Sequence, residues 1–213
     1  MQDWNFLTFT DILDLSGTFA FAISGIRLAS NKNFDWFGAY VVGLVTAIGG
    51  GTTRDLLLDV TPFWMEDAQY LIVTGVALIT VLLFKKKLFR LGKTLLIFDA
   101  IGLGFFTVSG IVKSMEMGMP IWLCIMLGIV SGSVGGVIRD MLINEVPLIF
   151  KQDLYAVASL LGGVVFFICI QFEALEDFYK IIAVLTVIAS RVIAVRYRLQ
   201  LPKLKSLKGE AEG

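Results

Sequence analysis

Seven apolar runs separated by short polar connections organise the chain, covering roughly 10–30, 36–56, 66–84, 94–114, 120–143, 152–172 and 178–196. A helix of about 20 apolar residues spans a hydrocarbon core of roughly 30 Å, so each run predicts a transmembrane helix. The connections leave no room for a linker. They predict one membrane domain over residues 1–198, followed by a basic tail over 199–213 that carries Lys203, Lys205 and Lys208.

Two of the runs break their own pattern. The second closes on Gly49-Gly50-Gly51-Thr52-Thr53-Arg54-Asp55, and the fifth on Gly135-Gly136-Val137-Ile138-Arg139-Asp140. A glycine costs roughly 1 kcal/mol against alanine inside a helix, so both runs read as interruptions. An ungapped shift of 85 residues lays 13–75 onto 98–160. It aligns Asp14 with Asp99, Ser24-Gly25-Ile26 with Ser109-Gly110-Ile111, Arg54-Asp55 with Arg139-Asp140, and Pro62 and Tyr70 with Pro147 and Tyr155. Repeat one covers about 10–84 and repeat two about 94–172. Each holds three runs, an odd number, so the second must thread the membrane upside down relative to the first. Inverted repeats of this kind place a site near the midplane, between corresponding interrupted helices.

Composition agrees with the pattern. Of 213 residues, 57% are hydrophobic and 17% charged, with mean hydropathy +0.82. Soluble domains are nearer 45–50% apolar and about 25% charged. Net charge is zero, so its distribution is what informs. Lys85, Lys86, Lys87, Arg90 and Lys93 follow the third run, and Arg191, Arg196 and Arg198 end the seventh. These clusters lie four crossings apart, on one face, which the positive-inside rule makes cytoplasmic. The acidic start (Asp3, Asp11, Asp14) and the Glu173, Glu176, Asp177 loop then face outward. The expectation is a multi-pass inner-membrane protein with N-terminus outside and C-terminus inside. No basic n-region precedes the first run, so no signal peptide is expected. Histidine is absent, and Cys124 and Cys169 both sit inside apolar runs, so neither a metal cluster nor a disulfide framework is expected.

The chemistry-bearing positions group around the two glycine runs. Gly49, Gly50, Gly51, Gly135 and Gly136 either unwind a helix so that carbonyls face a cavity, or let helices pack closely. Thr52, Ser131 and Ser133 add hydroxyls, which are modest cation ligands; Thr46 and Thr53 stand nearby. Asp14 and Asp99 are intramembrane carboxylates, either facing a pathway or pairing with Arg54 and Arg139. Arg54-Asp55 and Arg139-Asp140 form charged mouths or lock the repeats together, and locking is favoured. Lys113 has Leu28 at its repeat-one position and is a candidate gate or a snorkelling cation. No P-loop, dinucleotide fingerprint, nucleophile elbow or potassium filter of the Thr-Val-Gly-Tyr-Gly type occurs. An enzyme, a cofactor and a nucleic-acid partner are therefore not expected.

At Ser24-Gly25, Gly49 to Asp55, Ser109-Gly110 and Gly135 to Asp140 the chain resembles the prokaryotic trimeric intracellular cation (TRIC) channels. The resemblance covers nearly all of 10–196. It implies an all-α membrane protein of seven helices, an inverted three-plus-three repeat plus a seventh helix over about 178–196, with helices two and five kinked at the glycine runs. It also implies a homotrimer in lipid with one hydrophilic pore per protomer, permeated by monovalent cations, chiefly K+ with Na+ as the lesser candidate. Two departures stand out. The Lys-Glu-Val motif of animal members has only a distant echo in Lys113-Ser114-Met115-Glu116, and the second glycine run is one glycine short. Some bacterial relatives are proposed to carry small amino acids such as glycine, so a secondary transporter is the alternative reading.

Overall fold

The computed structural model describes residues 8–90, 94–151, 154–172, 175, 178–197 and 199. The basic tail beyond Leu199, Lys93, Arg198 and the acidic residues Glu173, Glu176 and Asp177 lie outside these residues.

The described residues form nine helices and no strand. Seven are long: α1 (Phe9–Asn31), α2 (Trp36–Leu57), α4 (Gln69–Arg90), α5 (Thr94–Glu116), α6 (Ile121–Leu142), α8 (Tyr155–Cys169) and α9 (Tyr179–Tyr197). Two are single turns, α3 (Phe63–Glu66) and α7 (Leu148–Lys151). Each begins directly after a proline of the repeat, Pro62 or Pro147, a residue that suits a helix start because its missing N–H is not needed there. The third run therefore begins as a helix at Gln69 rather than near 66, and the sixth at Tyr155 rather than near 152, after Leu154 turns left-handed at φ 76°. α4 bends at Phe84, where the apolar run gives way to Lys85, and stays helical beyond it. Three helices, α1, α5 and α6, are long and apolar enough to cross a membrane by length and composition; α4 and α8 contribute shorter apolar segments.

Local sequence explains the helix ends. Thr8 and Asp11 close a capping box on α1: the Thr8 amide donates to Asp11 Oδ2 (2.8 Å) and the Asp11 amide to Thr8 Oγ1 (3.2 Å). Asp35 caps α2 by accepting from the Gly38 amide at 2.7 Å. Asp35→Ala is expected to remove about 1 kcal/mol, the usual worth of such a cap, read as a lower thermal midpoint in detergent. The left-handed residues that reverse the chain are Asn33 (φ 60°) and Gly118 (φ 73°), then Asp59 (φ 55°) and Asn144 (φ 58°). Each pair is separated by the repeat's 85-residue shift, and Asn, Asp and Gly are the residues that tolerate this region.

The two repeats pack reciprocally. The space a side chain would need at Gly17 is filled by the Phe106 ring, and that at Gly102 by the Phe21 ring. Phe21 and Phe106, equivalent residues, stack on each other with centroids 5.5 Å apart and planes 9° from parallel. Residue i of one repeat touching j of the other, and i's equivalent touching j's equivalent, is the mark of a two-fold relation. The partners of α1 descend in number along α5 as α1 ascends, so these helices run antiparallel. The interior is unusually polar: Asp14, Ser24, Arg54, Asp55, Asp99, Ser109, Arg139, Asp140 and Arg191 are all buried. Outside, α4 presents Ile72, Val76, Ile79 and Leu83, and α8 presents Leu160, Leu161, Val164 and Ile168. Charged groups set within an otherwise apolar core, together with an apolar outer face, suit lipid as the surrounding solvent.

Candidate functional site

The centre of the molecule is the crossing of α2 on α6. At Gly50 a Cβ would fall 2.0 Å from the Ser131 carbonyl oxygen, and at Gly135 one would fall 2.2 Å from the Thr46 carbonyl oxygen. Thr46 and Ser131 are themselves equivalent positions, so the crossing obeys the same reciprocity as α1 on α5. Both glycine runs are helical throughout, α2 continuing to Leu57 and α6 to Leu142. The unwinding expected from the glycine runs is absent. What the glycines provide is close approach: two backbones pass where any side chain would collide with a main-chain oxygen. The outer glycines do a related job. Gly51 makes room for the Phe63 ring, Gly136 for the Tyr155 hydroxyl, and Gly49 faces Ile138.

The hydroxyls mostly turn inward on their own helices. Thr46 donates to the Val42 carbonyl (2.6 Å), Thr52 to Ile48 (2.7 Å), Thr53 to Gly49 (2.9 Å) and Ser133 to Ile129 (2.6 Å). Such back-bonding leaves lone pairs but occupies the proton, and often bends a helix slightly. Thr52 also accepts from Trp64 Nε1 at 3.0 Å. Ser131 Oγ is buried without a hydrogen-bond partner among the described residues.

Flanking the crossing are two charged networks of one design. In the first, Arg54 Nε donates to Asp55 Oδ1 (2.8 Å), Arg54 Nη1 to Ser109 Oγ (3.2 Å), and Ser109 in turn donates to Asp14. In the second, Arg139 Nε donates to Asp140 Oδ1 (2.8 Å), and Arg139 Nη1 donates to Ser24 Oγ and to Asp99 Oδ1 (2.7 Å). Each arginine thus reaches a serine of the other repeat. The second carboxylate oxygen of each Arg-Asp pair accepts from the chain eight residues on: Asp55 Oδ2 from the Phe63 amide (2.9 Å), Asp140 Oδ2 from the Leu148 amide (2.8 Å). Both arginines are 0% exposed, so their charges are neutralised inside the protein rather than by water.

The networks then diverge. Lys113, partly exposed, places Nζ 2.9 Å from Asp55 Oδ1. At the corresponding place beside Asp140 stands Leu28, and a recess of about 120 Å³ opens there between Leu28, Leu95, Asp140, Glu145, Val146 and Leu148. The Arg54 guanidinium lies 5.7 Å from the Phe63 ring centroid, and Phe63 meets Tyr70 edge to face at 4.5 Å. Leu148 replaces Phe63 in repeat two, and the Tyr155 ring lies under Arg191 of α9 at 4.5 Å.

Known proteins share this arrangement over most of its length. A family model described as "Glycine transporter" matches residues 11–86 and again 96–171, the same 85-residue displacement. Inner membrane protein YadS of Escherichia coli (strain K12) is 36% identical over 193 residues, 89% of this chain and 93% of that protein. The TRIC trimeric intracellular cation channel orthologue of Rhodobacter sphaeroides superposes with TM-score 0.83 at 31% identity, over 89% of this chain and 98% of the other. A second solved structure, described as the structural basis for conductance through TRIC cation channels, gives TM-score 0.81 at 36% identity, over 93% and 98%. The chain belongs to the prokaryotic TRIC channel family. It is accordingly a multi-pass membrane protein.

In this TRIC-family chain the structure brings the charged site residues into two networks on either side of the crossing. Asp14, Arg54 and Asp55 with Lys113 form one network, and Asp99, Arg139 and Asp140 the other; Gly49, Gly50, Ser131 and Gly135 lie at the crossing between them, whereas Gly51 faces Phe63, Gly136 faces Tyr155, Thr52 meets Trp64 and Ser133 bonds back to its own helix. Ser24, Ser109, Phe63, Tyr155 and Arg191 were not expected there as site residues. The repeat alignment pairs Ser24 with Ser109 and Tyr70 with Tyr155, a signal that those positions matter but not what they face.

Proposed function

We propose that the chain is a monovalent cation channel, selective chiefly for K+, with one hydrophilic path inside each protomer of a homotrimer. The observation that carries this reading is the doubled Asp-Ser-Arg-Asp network on either side of the α2–α6 crossing: buried charge in a membrane interior generally marks an ion or substrate pathway. Likeness to solved TRIC cation channels at 31% and 36% identity supports it. In this reading all seven long helices cross the membrane, and the second repeat is inverted relative to the first, as the antiparallel, reciprocal packing of α1 on α5 supports. The N-terminus lies outside and the C-terminus in the cytoplasm. The Arg-Asp pairs brace the wall, Asp14 and Asp99 tie the braces to the first helix of each repeat, and gentle bends at the back-bonded hydroxyls open the lining. Lys113 on Asp55 is the movable contact of the set, because its ammonium is partly exposed while its partner is buried. K+ or Na+ is the permeant, and lipid is the surrounding partner.

The family description "Glycine transporter" favours a second reading, in which the same centre binds a small zwitterion and alternates between faces. Purified protein in liposomes separates the two. The expected result is potassium flux on imposing a gradient, with radiolabelled glycine remaining outside. Saturable glycine uptake without potassium conductance would reverse the assignment.

A further inference from the structure

We propose that Lys32 and Glu145 form a salt-sensitive latch at the recess that reaches Asp140, and that opening it admits aqueous solutes to the second network. Lys32 Nζ lies 2.8 Å from Glu145 Oε1, tying the end of α1 to the connection after α6. The pair joins the two repeats, as Lys113 on Asp55 does. Neither of its positions is charged in the other copy: Met117 stands at the equivalent of Lys32, and Val60 at that of Glu145. The backbone at the two places is nevertheless the same. The Glu145 amide donates to the Asp140 carbonyl at 2.8 Å and the Val60 amide to the Asp55 carbonyl at 3.0 Å. Each follows a left-handed residue, Asn144 or Asp59, so only the side chains distinguish the two mouths.

What differs is where the lysine stands. Lys113 reaches Asp55 directly, at 2.9 Å. On α1 the equivalent position is Leu28, and the lysine comes four residues later, roughly 6 Å further along the helix. Its partner shifts in the same direction, from Asp140 to Glu145, beyond the end of α6. The displacement leaves room behind it: Leu28, Asp140 and Glu145 all line the recess of about 120 Å³. The carboxylate of repeat two is thus approached through a chamber, whereas that of repeat one is plugged by an ammonium. Lys32 and Glu145 are also wetter, 41% and 40% exposed against 27% and 0% for Lys113 and Asp55. An ion pair between exposed side chains is weakly held and screened by salt, so the latch opens at lower cost than the Lys113 contact. As a gate for permeating cations it rests on the channel reading above; as a cover on the recess it does not.

Thiol labelling of the full chain in nanodiscs tests this. Leu28→Cys puts a thiol on the recess wall, and Leu95→Cys repeats the measurement from α5, so the result does not hang on one substitution. Cys124 and Cys169 are buried, and the unsubstituted protein gives their background. A cationic and an anionic methanethiosulfonate of similar size are both applied. At low salt, with the latch intact, both are expected to label slowly. Adding Lys32→Gln should speed both several-fold, and concentrated KCl should do the same only where Lys32 is present. Exchanging the charges, Lys32→Glu with Glu145→Lys, should return both rates to slow. Rates indifferent to Lys32 overturn the proposal. So do opposite shifts for the two reagents, which would mean that Lys32 sets a local potential and covers nothing. Labelling needs no potassium flux: a working latch in a protein that conducts no potassium would sink the channel reading and leave this inference standing.

Discussion

Gly50→Ala and Gly135→Ala are expected to be the most damaging single-methyl additions in the molecule. Each new Cβ would meet a carbonyl oxygen of the opposing helix, at 2.0 Å from Ser131 and 2.2 Å from Thr46. A flexible side chain yields to such a contact, but main-chain oxygen at a helix crossing yields only if the whole helix moves. Overpacking a well-packed interior costs about 1–3 kcal/mol, and these sites belong at or above the upper end. Because α2 and α6 separate on moving, potassium flux in liposomes should change along with the thermal midpoint. Gly75→Ala on α4 is the control: nothing lies within 4 Å of its Cβ, and alanine is the better helix former by roughly 1 kcal/mol. Gly75→Ala is expected to match or exceed the wild-type midpoint. If Gly50→Ala does so too, the crossing is looser than its geometry and the glycines serve another purpose.

Arg139→Gln is expected to cost about 3–5 kcal/mol, the typical penalty for removing one partner of a buried ion pair. The guanidinium donates to Asp99, Asp140 and Ser24 together, so its loss strands two carboxylates that are at most 2% exposed. Most of the penalty belongs to those carboxylates rather than to the arginine. Adding Asp99→Asn to Arg139→Gln should therefore restore part of the stability lost, with a coupling within the 0.5–3 kcal/mol usual for contacting residues. Denaturation midpoints of the two single variants and the double variant give that coupling. Simple additivity would mean that water reaches the pair and that the brace is weaker than its burial.

Much of this centre was legible before the fold. The 85-residue shift identified Asp14 with Asp99 and Arg54-Asp55 with Arg139-Asp140, and the lengths of the apolar runs located the long helices to within a few residues. Pro62 and Pro147 were visible as matched positions of the repeat, although the single turns α3 and α7 beyond them were not. The glycine runs left unwinding and close packing both open, and sequence could not choose between them for a physical reason. Propensity prices a glycine against an isolated helix, where it costs, whereas at a crossing the missing side chain is what admits the neighbouring backbone. That Thr52 and Ser133 turn their hydroxyl protons back to i−4 carbonyls was not legible, because sequence does not reveal a hydroxyl's rotamer. Nor does spacing along the chain say that Arg54 reaches Ser109 rather than Ser24. That choice follows from antiparallel packing, which no local pattern encodes. Phe63 opposite Leu148, the difference that separates the two halves, looks in the sequence like one apolar residue exchanged for another.

The exchanged partners also bear on how the molecule is made. Arg54 leaves the ribosome 55 residues before Ser109, and Ser24 waits 115 residues for Arg139. During synthesis, then, the first half sits in or beside the membrane with its arginine lacking a hydrogen bond that only the second half can supply. Neither half holds its own finished interior, and the pairing that completes one completes the other. Assembly is in this sense a single late event, and a nascent chain halted between α4 and α5 presents an arginine paired with Asp55 but short of its Ser109 hydrogen bond to whatever insertion or quality-control machinery surveys the bilayer.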